Sequence, residues 1–170
     1  LEEISSGNIV FAEKVVGADP FKLVDSLSQR VRSAMNVESA SAASVAQVTT
    51  NSPEAYKHYL EGMRRFGANE HDSAIAEFQK ALEIDSTLAL AYMRIGMALT
   101  FTGKQQEGMA YFAQARRLQD HLPVRERSLV DVYANIWLER SLAEAATKLK
   151  SMVTNYPDDK EVRAVYGIFL

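Results

Sequence analysis

From Ser52 onward apolar residues recur every three to four positions almost without a break, the spacing of helices that each bury one face. The chain before that point follows a different pattern. Ile9-Val10-Phe11-Ala12-Glu13-Lys14-Val15-Val16 is rich in β-branched residues and lies between the turn cluster Ser5-Ser6-Gly7-Asn8 and Gly17. This predicts a strand over 9–16, with residues 1–5 as its hairpin mate. Asp19-Pro20 then offers an N-cap and a first-turn proline, and Phe21, Val24, Leu27, Val31 and Met35 follow at helical spacing. An amphipathic helix is predicted over 20–35. Between residues 38 and 52 the chain is Ser/Ala/Thr/Val-rich without a convincing period, which predicts a linker. Ser52-Pro53-Glu54 is a helix start, and no strand is needed beyond it.

The helical part repeats itself with a period of 34: Gly62 recurs as Gly96, Ala74 as Gly108, Phe78 as Phe112 and Ala81 as Ala115. After three extra residues around Leu122-Pro123 the pattern resumes with Tyr133, Ala145, Leu149, Met152 and Pro157. A fixed period of this size marks a solenoid of helical hairpins. The steric logic is that small residues let the two helices of a hairpin approach closely, while Phe78, Phe112 and Leu149 fill the space beside them. Gly67-Ala68-Asn69-Glu70-His71-Asp72 and Thr102-Gly103-Lys104-Gln105 have the length and composition of turns. Three hairpins and the first helix of a fourth are expected, over 53–86, 87–120, 121–157 and 158–170.

Residues 53–170 resemble tetratricopeptide repeats, whose signature pairs a small residue on the first helix with Ala-x3-Phe-x2-Ala on the second. Ala74-Ile75-Ala76-Glu77-Phe78-Gln79-Lys80-Ala81 carries that signature; in the second repeat Gly108 replaces the usual Ala and Asp120 the common Pro, and in the third Tyr133 stands in the small-residue place. The expected fold class is therefore mainly α, a helical-hairpin solenoid of about three repeats plus one helix, preceded by a strand or hairpin and one amphipathic helix. Residues 1–37 resemble the last strand and helix of the TolB-like amino-terminal α/β domain of bacterial multidomain proteins, through Gly7-Asn8-Ile9-Val10-Phe11-Ala12-Glu13, Asp19-Pro20-Phe21 and Leu23-Val24-Asp25-Ser26-Leu27. That resemblance implies a larger bacterial signalling or regulatory protein, with repeats following an α/β module. The missing initiator Met and the apolar ending Val165-Tyr166-Gly167-Ile168-Phe169-Leu170 agree with a piece of a longer chain.

Composition narrows the functions. Lys+Arg number 19 against 22 Asp+Glu, a formal charge of −3, so no polycationic field gathers phosphates and no nucleic acid is expected as partner. Zero cysteine excludes disulfides, thiol catalysis and zinc ribbons while leaving the compartment open. The cytoplasm is favoured, with the extracytoplasmic face of a bacterial membrane as the other setting. No apolar run approaches the ~18 residues of a membrane span. His58, His71 and His121 fall in different hairpins without the i, i+4 spacing of a helical metal site, and read as solvated or capping residues. Asp158-Asp159 reads as helix-start charge, and Gly103-Lys104 lacks the rest of a phosphate loop. Arg64-Arg65, Arg116-Arg117, Arg125 and Arg127 sit among acids as a solvated face. No enzyme activity, cofactor or metal is expected.

What remains is a surface. The inner side of such a solenoid comes from the first helix of each hairpin. There the sequence places Tyr56, Tyr59, Met63 and Phe66, then Leu90, Met93, Met97 and Phe101, then Val130, Ala134 and Trp137. Tyr59, Met63, Phe66, Met93, Met97, Phe101 and Trp137 are the expected lining of an apolar groove, since Met and aromatics suit adaptable helix-binding surfaces. The expected function is a scaffold that binds a protein or peptide through an apolar helical or extended segment. The alternative is an architectural or oligomerising spacer with the groove filled intramolecularly, by helix 20–35, and with copies pairing through strand 9–16.

Overall fold

The computed structural model describes residues 2–3, 8–9, 23, 26–27, 30, 50 and 52–168. At the start, β1 (Glu2–Glu3) pairs antiparallel with β2 (Asn8–Ile9), Glu2 opposite Ile9 and Glu3 opposite Asn8. The rest of the strand expected over 9–16 lies outside the described residues, as does any pairing of copies through it. Of the expected helix 20–35, Leu23, Ser26, Leu27 and Arg30 are helical, and its remaining positions lie outside the described residues. Of the expected linker only Thr50 and Ser52 are described.

Seven helices follow among the described residues: α1 (Pro53–Gly67), α2 (His71–Ile84), α3 (Ala89–Phe101), α4 (Gln105–Arg117), α5 (Val124–Trp137), α6 (Leu142–Asn155) and α7 (Lys160–Gly167). They pack as three antiparallel hairpins plus one further helix, each hairpin stacked on the next. The first start is chemically plain: Pro53 opens α1 and the Ser52 hydroxyl accepts from the Ala55 N–H at 3.2 Å, satisfying one of the free amide donors of the first turn. His71 and Asp72, expected in a turn, belong to α2, because Asn69 alone reverses the chain. Each hairpin turn holds one residue of positive φ at the repeat spacing: Asn69 (61°), Gly103 (80°) and Arg140 (53°). Left-handed backbone is what lets a helix stop and turn within three or four residues.

The repeat period has a steric cause that the coordinates make explicit. A Cβ on Gly62 would lie 2.5 Å from the Phe78 ring, and one on Gly96 would lie 2.9 Å from the Phe112 ring. At Gly108 the close neighbour is backbone, since a Cβ there would meet the Gly96 carbonyl oxygen at 2.9 Å. In the third hairpin the sizes are exchanged. Tyr133 takes the glycine position, Leu149 takes the phenylalanine position, and the Tyr133 ring turns back to stack on Phe112 (centroids 5.9 Å, interplanar 3°). Phe78, Phe112 and Leu149 are all buried.

The helix α3 is the centre of the array. Ten of its 13 residues are buried, on every side of the helix, as befits an element with neighbours all round. The insertion before α5 forms a 3-10 turn (Gln119–His121), and Arg127 Nη2 donates to the carbonyls of Asp120 (3.3 Å) and Leu122 (3.0 Å) to hold it. No helix among the described residues is long and apolar enough to cross a membrane.

Candidate functional site: the inner face of the array

The row expected to line a groove divides by depth. Met93 is fully buried, and Tyr59 and Met97 are each 7 % exposed. Leu90, Val130 and Ala134, from the same faces, are buried as well. Tyr56, Met63, Phe66 and Trp137 are half-buried against this core, whereas Phe101 is 64 % exposed. The structure therefore joins Tyr59, Met93 and Met97 in one buried cluster. It sets Phe66 and Phe101 at the turn end of the first two hairpins, with ring centroids 5.8 Å apart. His71, expected to be solvated or to cap a helix, completes that aromatic edge: its ring stacks on Phe101 (5.3 Å, 14°) and meets Phe66 edge-on, and its Nδ1 is buried without a partner. Trp137 joins a different stack, on Phe112 (6.3 Å, 4°).

Beside the apolar cluster runs a buried polar chain that sequence reading missed. Arg94, only 6 % exposed, places Nη1 2.6 Å from Glu161 Oε1 and 3.6 Å from the Met97 sulfur, and its guanidinium also lies against the Tyr59 hydroxyl. Arg125 extends the chain, donating from Nε to Asp159 Oδ2 (2.6 Å) and from Nη2 to Glu161 Oε2 (3.1 Å). Asp159 is in turn the N-cap of α7, accepting from the N–H groups of Glu161 (3.0 Å) and Val162 (3.1 Å). Helices α1, α3, α5 and α7 are thus tied together along the inner side.

Electrostatics follow from that geometry. Burial pushes the Glu161 carboxyl upward, but Arg94 and Arg125 outweigh it and hold the group below the usual carboxylate range. The Asp159 carboxyl is held low by its hydrogen bond from Arg125 and by the helix amides. Burial raises both the Tyr59 and Tyr133 hydroxyls, despite the nearby Arg94. None of these groups stands free in a cleft with an opposing acid or base, the arrangement that acid–base chemistry needs. No cluster of three or more metal-ligating side chains occurs among the described residues. The one sequence signal for this chain was Arg94 itself, a charge in an otherwise apolar helix. Its partner Glu161 lies 67 positions away.

A family model described as tetratricopeptide repeat matches residues 89–120, which span α3, α4 and the start of the 3-10 turn. Among solved structures, the chain is similar to the one titled first TPR of Spaghetti (RPAP3) bound to HSP90 peptide SRMEEVD. The identity is 17 %, the match covers 66 % of this chain and 87 % of that one, and the TM-score is 0.47. No curated protein matches significantly. Residues 89–120 therefore form a repeat of the tetratricopeptide type, and hairpins of the same build stand before and after it.

Proposed function

We propose that the chain is a protein–protein interaction module by virtue of its repeats. We propose that the inner face, with Tyr59, Met63, Met93 and Met97 at its floor and Phe66, Phe101 and Trp137 at its edges, seats an apolar helix, and that the chain's own segment 20–35 occupies this seat until a partner helix displaces it. The observation that carries the reading is the complete burial of Met93 beside Tyr59, Leu90 and Met97, on the side of the array where a solenoid otherwise offers accessible surface. A row of Met, Leu and Tyr at that side is stable when a second apolar face covers it.

Segment 20–35 has the matching chemistry, Phe21, Val24, Leu27, Val31 and Met35 at helical spacing. Of the described residues, Leu23 and Ser26 are helical and half-buried, while Leu27, the described member of that stripe, is helical and 43 % exposed. The linker can make the return, because Thr50 donates from its hydroxyl to Asp85, close to the start of α3. The linker from Val37 to Asn51 has 15 residues, a length that reaches roughly 20 Å at ~5–6 Å × √n. Tethering at that length gives a millimolar effective concentration, enough for a weak contact to stay formed. The setting proposed for this module, a bacterial signalling or regulatory protein, rests on the resemblance of residues 1–37 to a TolB-like domain.

The chain has no cysteine, so a pair introduced at Arg30 and Phe101 takes spin labels uniquely. A narrow, short interlabel distance that broadens when excess synthetic peptide 20–35 is added is the expected result. A broad, long distribution in the untreated protein would rule out occupation of the inner face by this segment.

A further inference from the structure

The floor of the inner face is not apolar throughout. Arg94 is buried beside it, with its guanidinium against the Met97 sulfur and the Tyr59 hydroxyl. A helix laid over Tyr59 and Met97 therefore also closes over a cation. Covering a charge with apolar surface is costly unless the charge is paired.

One carboxylate supplies that pairing. Among the described residues only Glu161 lies within ion-pair distance of Arg94, and the buried Arg94 Nε has no hydrogen-bond partner. Arg125, the other arginine of the polar chain, is served by Asp159, Glu161 and Glu126 together. Loss of the Glu161 charge would thus leave Arg94 bare and Arg125 still paired.

Glu161 belongs to the most lightly anchored helix of the array. α7 has eight residues, too few to hold a helix in isolation. It packs mainly on α6, with Val162 and Val165 buried. Its polar ties to α3 and α5 run through Glu161 and Asp159. The arginines are therefore a sizeable part of what keeps α7 in place.

We propose that docking of α7 and occupation of the inner face are coupled, with Glu161 as the positioning residue that neutralises Arg94 beneath an apolar helix. The coupling presupposes the seat for segment 20–35 on this face, and it runs in both directions. With α7 docked, Arg94 and Glu161 form a neutral pair that an apolar face can cover. With α7 away, Arg94 keeps its charge and needs water, which a seated helix would exclude. Conversely, a seated helix keeps water from the pair, strengthens its attraction and holds α7 down. The inner face thus accepts an apolar occupant only while α7 is in place.

The test uses the full chain with spin labels at positions 30 and 101. A short, narrow distance in the parent that lengthens and broadens in Glu161→Gln is expected. Adding Arg94→Met to Glu161→Gln should restore the parent distance, because the charge that needed neutralising is gone. A merely structural role for Glu161 would leave the double variant no better than the single one. In the reverse direction, Val24→Glu interrupts the apolar stripe of segment 20–35 and should speed amide exchange at Val162 and Val165 by about tenfold, within the range of coupled sites. Melting temperatures check that each variant folds, and the Val24→Glu arm decides alone if Glu161→Gln does not. Given a short parent distance, the coupling is overturned by an unchanged distance in Glu161→Gln, by a double variant that does not recover, or by unchanged exchange of α7 in Val24→Glu, and the seat stands. A long, broad distance in the parent itself would overturn the seat, and the coupling with it.

Discussion

Gly62→Ala tests the steric basis of the whole array. The added methyl would lie 2.5 Å from Phe78 Cε1 and 2.6 Å from Cδ1, where carbon atoms normally sit about 3.5–4.0 Å apart. The ring must therefore retreat by roughly 1 Å. It has nowhere to go, being fully buried and packed on Tyr59 with centroids 5.7 Å apart. Overpacking of this kind costs about 1–3 kcal/mol, and the upper end applies to a ring held on all sides. Alanine returns about 1 kcal/mol through its better helix propensity. The net expectation is a loss of about 2 kcal/mol. Gly67→Ala is the internal control, because nothing lies within 4 Å of a Cβ there; it should be neutral or stabilising by up to ~1 kcal/mol. Combining Gly62→Ala with Phe78→Leu reproduces the large-for-small exchange that Tyr133 and Leu149 already make, and should cost less than the two changes summed, by about 1 kcal/mol. Guanidinium unfolding followed by far-UV circular dichroism reads the parent and the four variants, Phe78→Leu alone included. If Gly62→Ala unfolds at the same midpoint as Gly67→Ala, glycine is not what sets the hairpin spacing.

Three further outcomes are expected. Phe112→Ala empties a buried aromatic site and should cost about 3–5 kcal/mol; since Trp137 is the single tryptophan and stacks on that ring, its emission should change in the folded protein, and unchanged emission would contradict the stacking. Glu161→Ala leaves Arg94 buried without its ion pair and should cost about 3–5 kcal/mol, while Arg94→Met with Glu161→Leu should recover most of it; equal losses in the single and double variants, read from denaturation midpoints, would mean that the pair does not act as a unit. Acid should also destabilise the array. The Glu161 and Asp159 carboxyls are depressed in the folded state, so their stabilisation is present above the unfolded values of about 4 and is lost as pH falls through the lower folded ones. Urea midpoints between pH 6 and pH 2.5 should show that fall, and Glu161→Gln should flatten it; an identical slope in the variant would contradict the assignment.

The array was legible in the sequence because its determinants are local and repeated. Gly62 with Phe78 and Gly96 with Phe112 lie 16 residues apart on the two arms of one hairpin. A helical hairpin brings such pairs together whatever surrounds it, so their recurrence announces the fold. Ser52, Pro53 and Asp159 likewise act on the helix ends beside them. Tertiary structure alone decided the rest. A helical phase says which residues share a face but not how deep each one lies, and so a row read as one lining divides into Met93 and Met97, which are buried, and Phe101, four residues on from Met97, which stays exposed. Arg94 and Glu161 meet because the solenoid's curvature carries α7 back toward α3, a contact that depends on every intervening hairpin angle. The space of about 760 Å³ between α5 and α6, lined in part by Asp131, Asn135 and Lys148, has the same origin: a three-residue insertion and one tyrosine loosen the packing of two helices, and no local pattern records it.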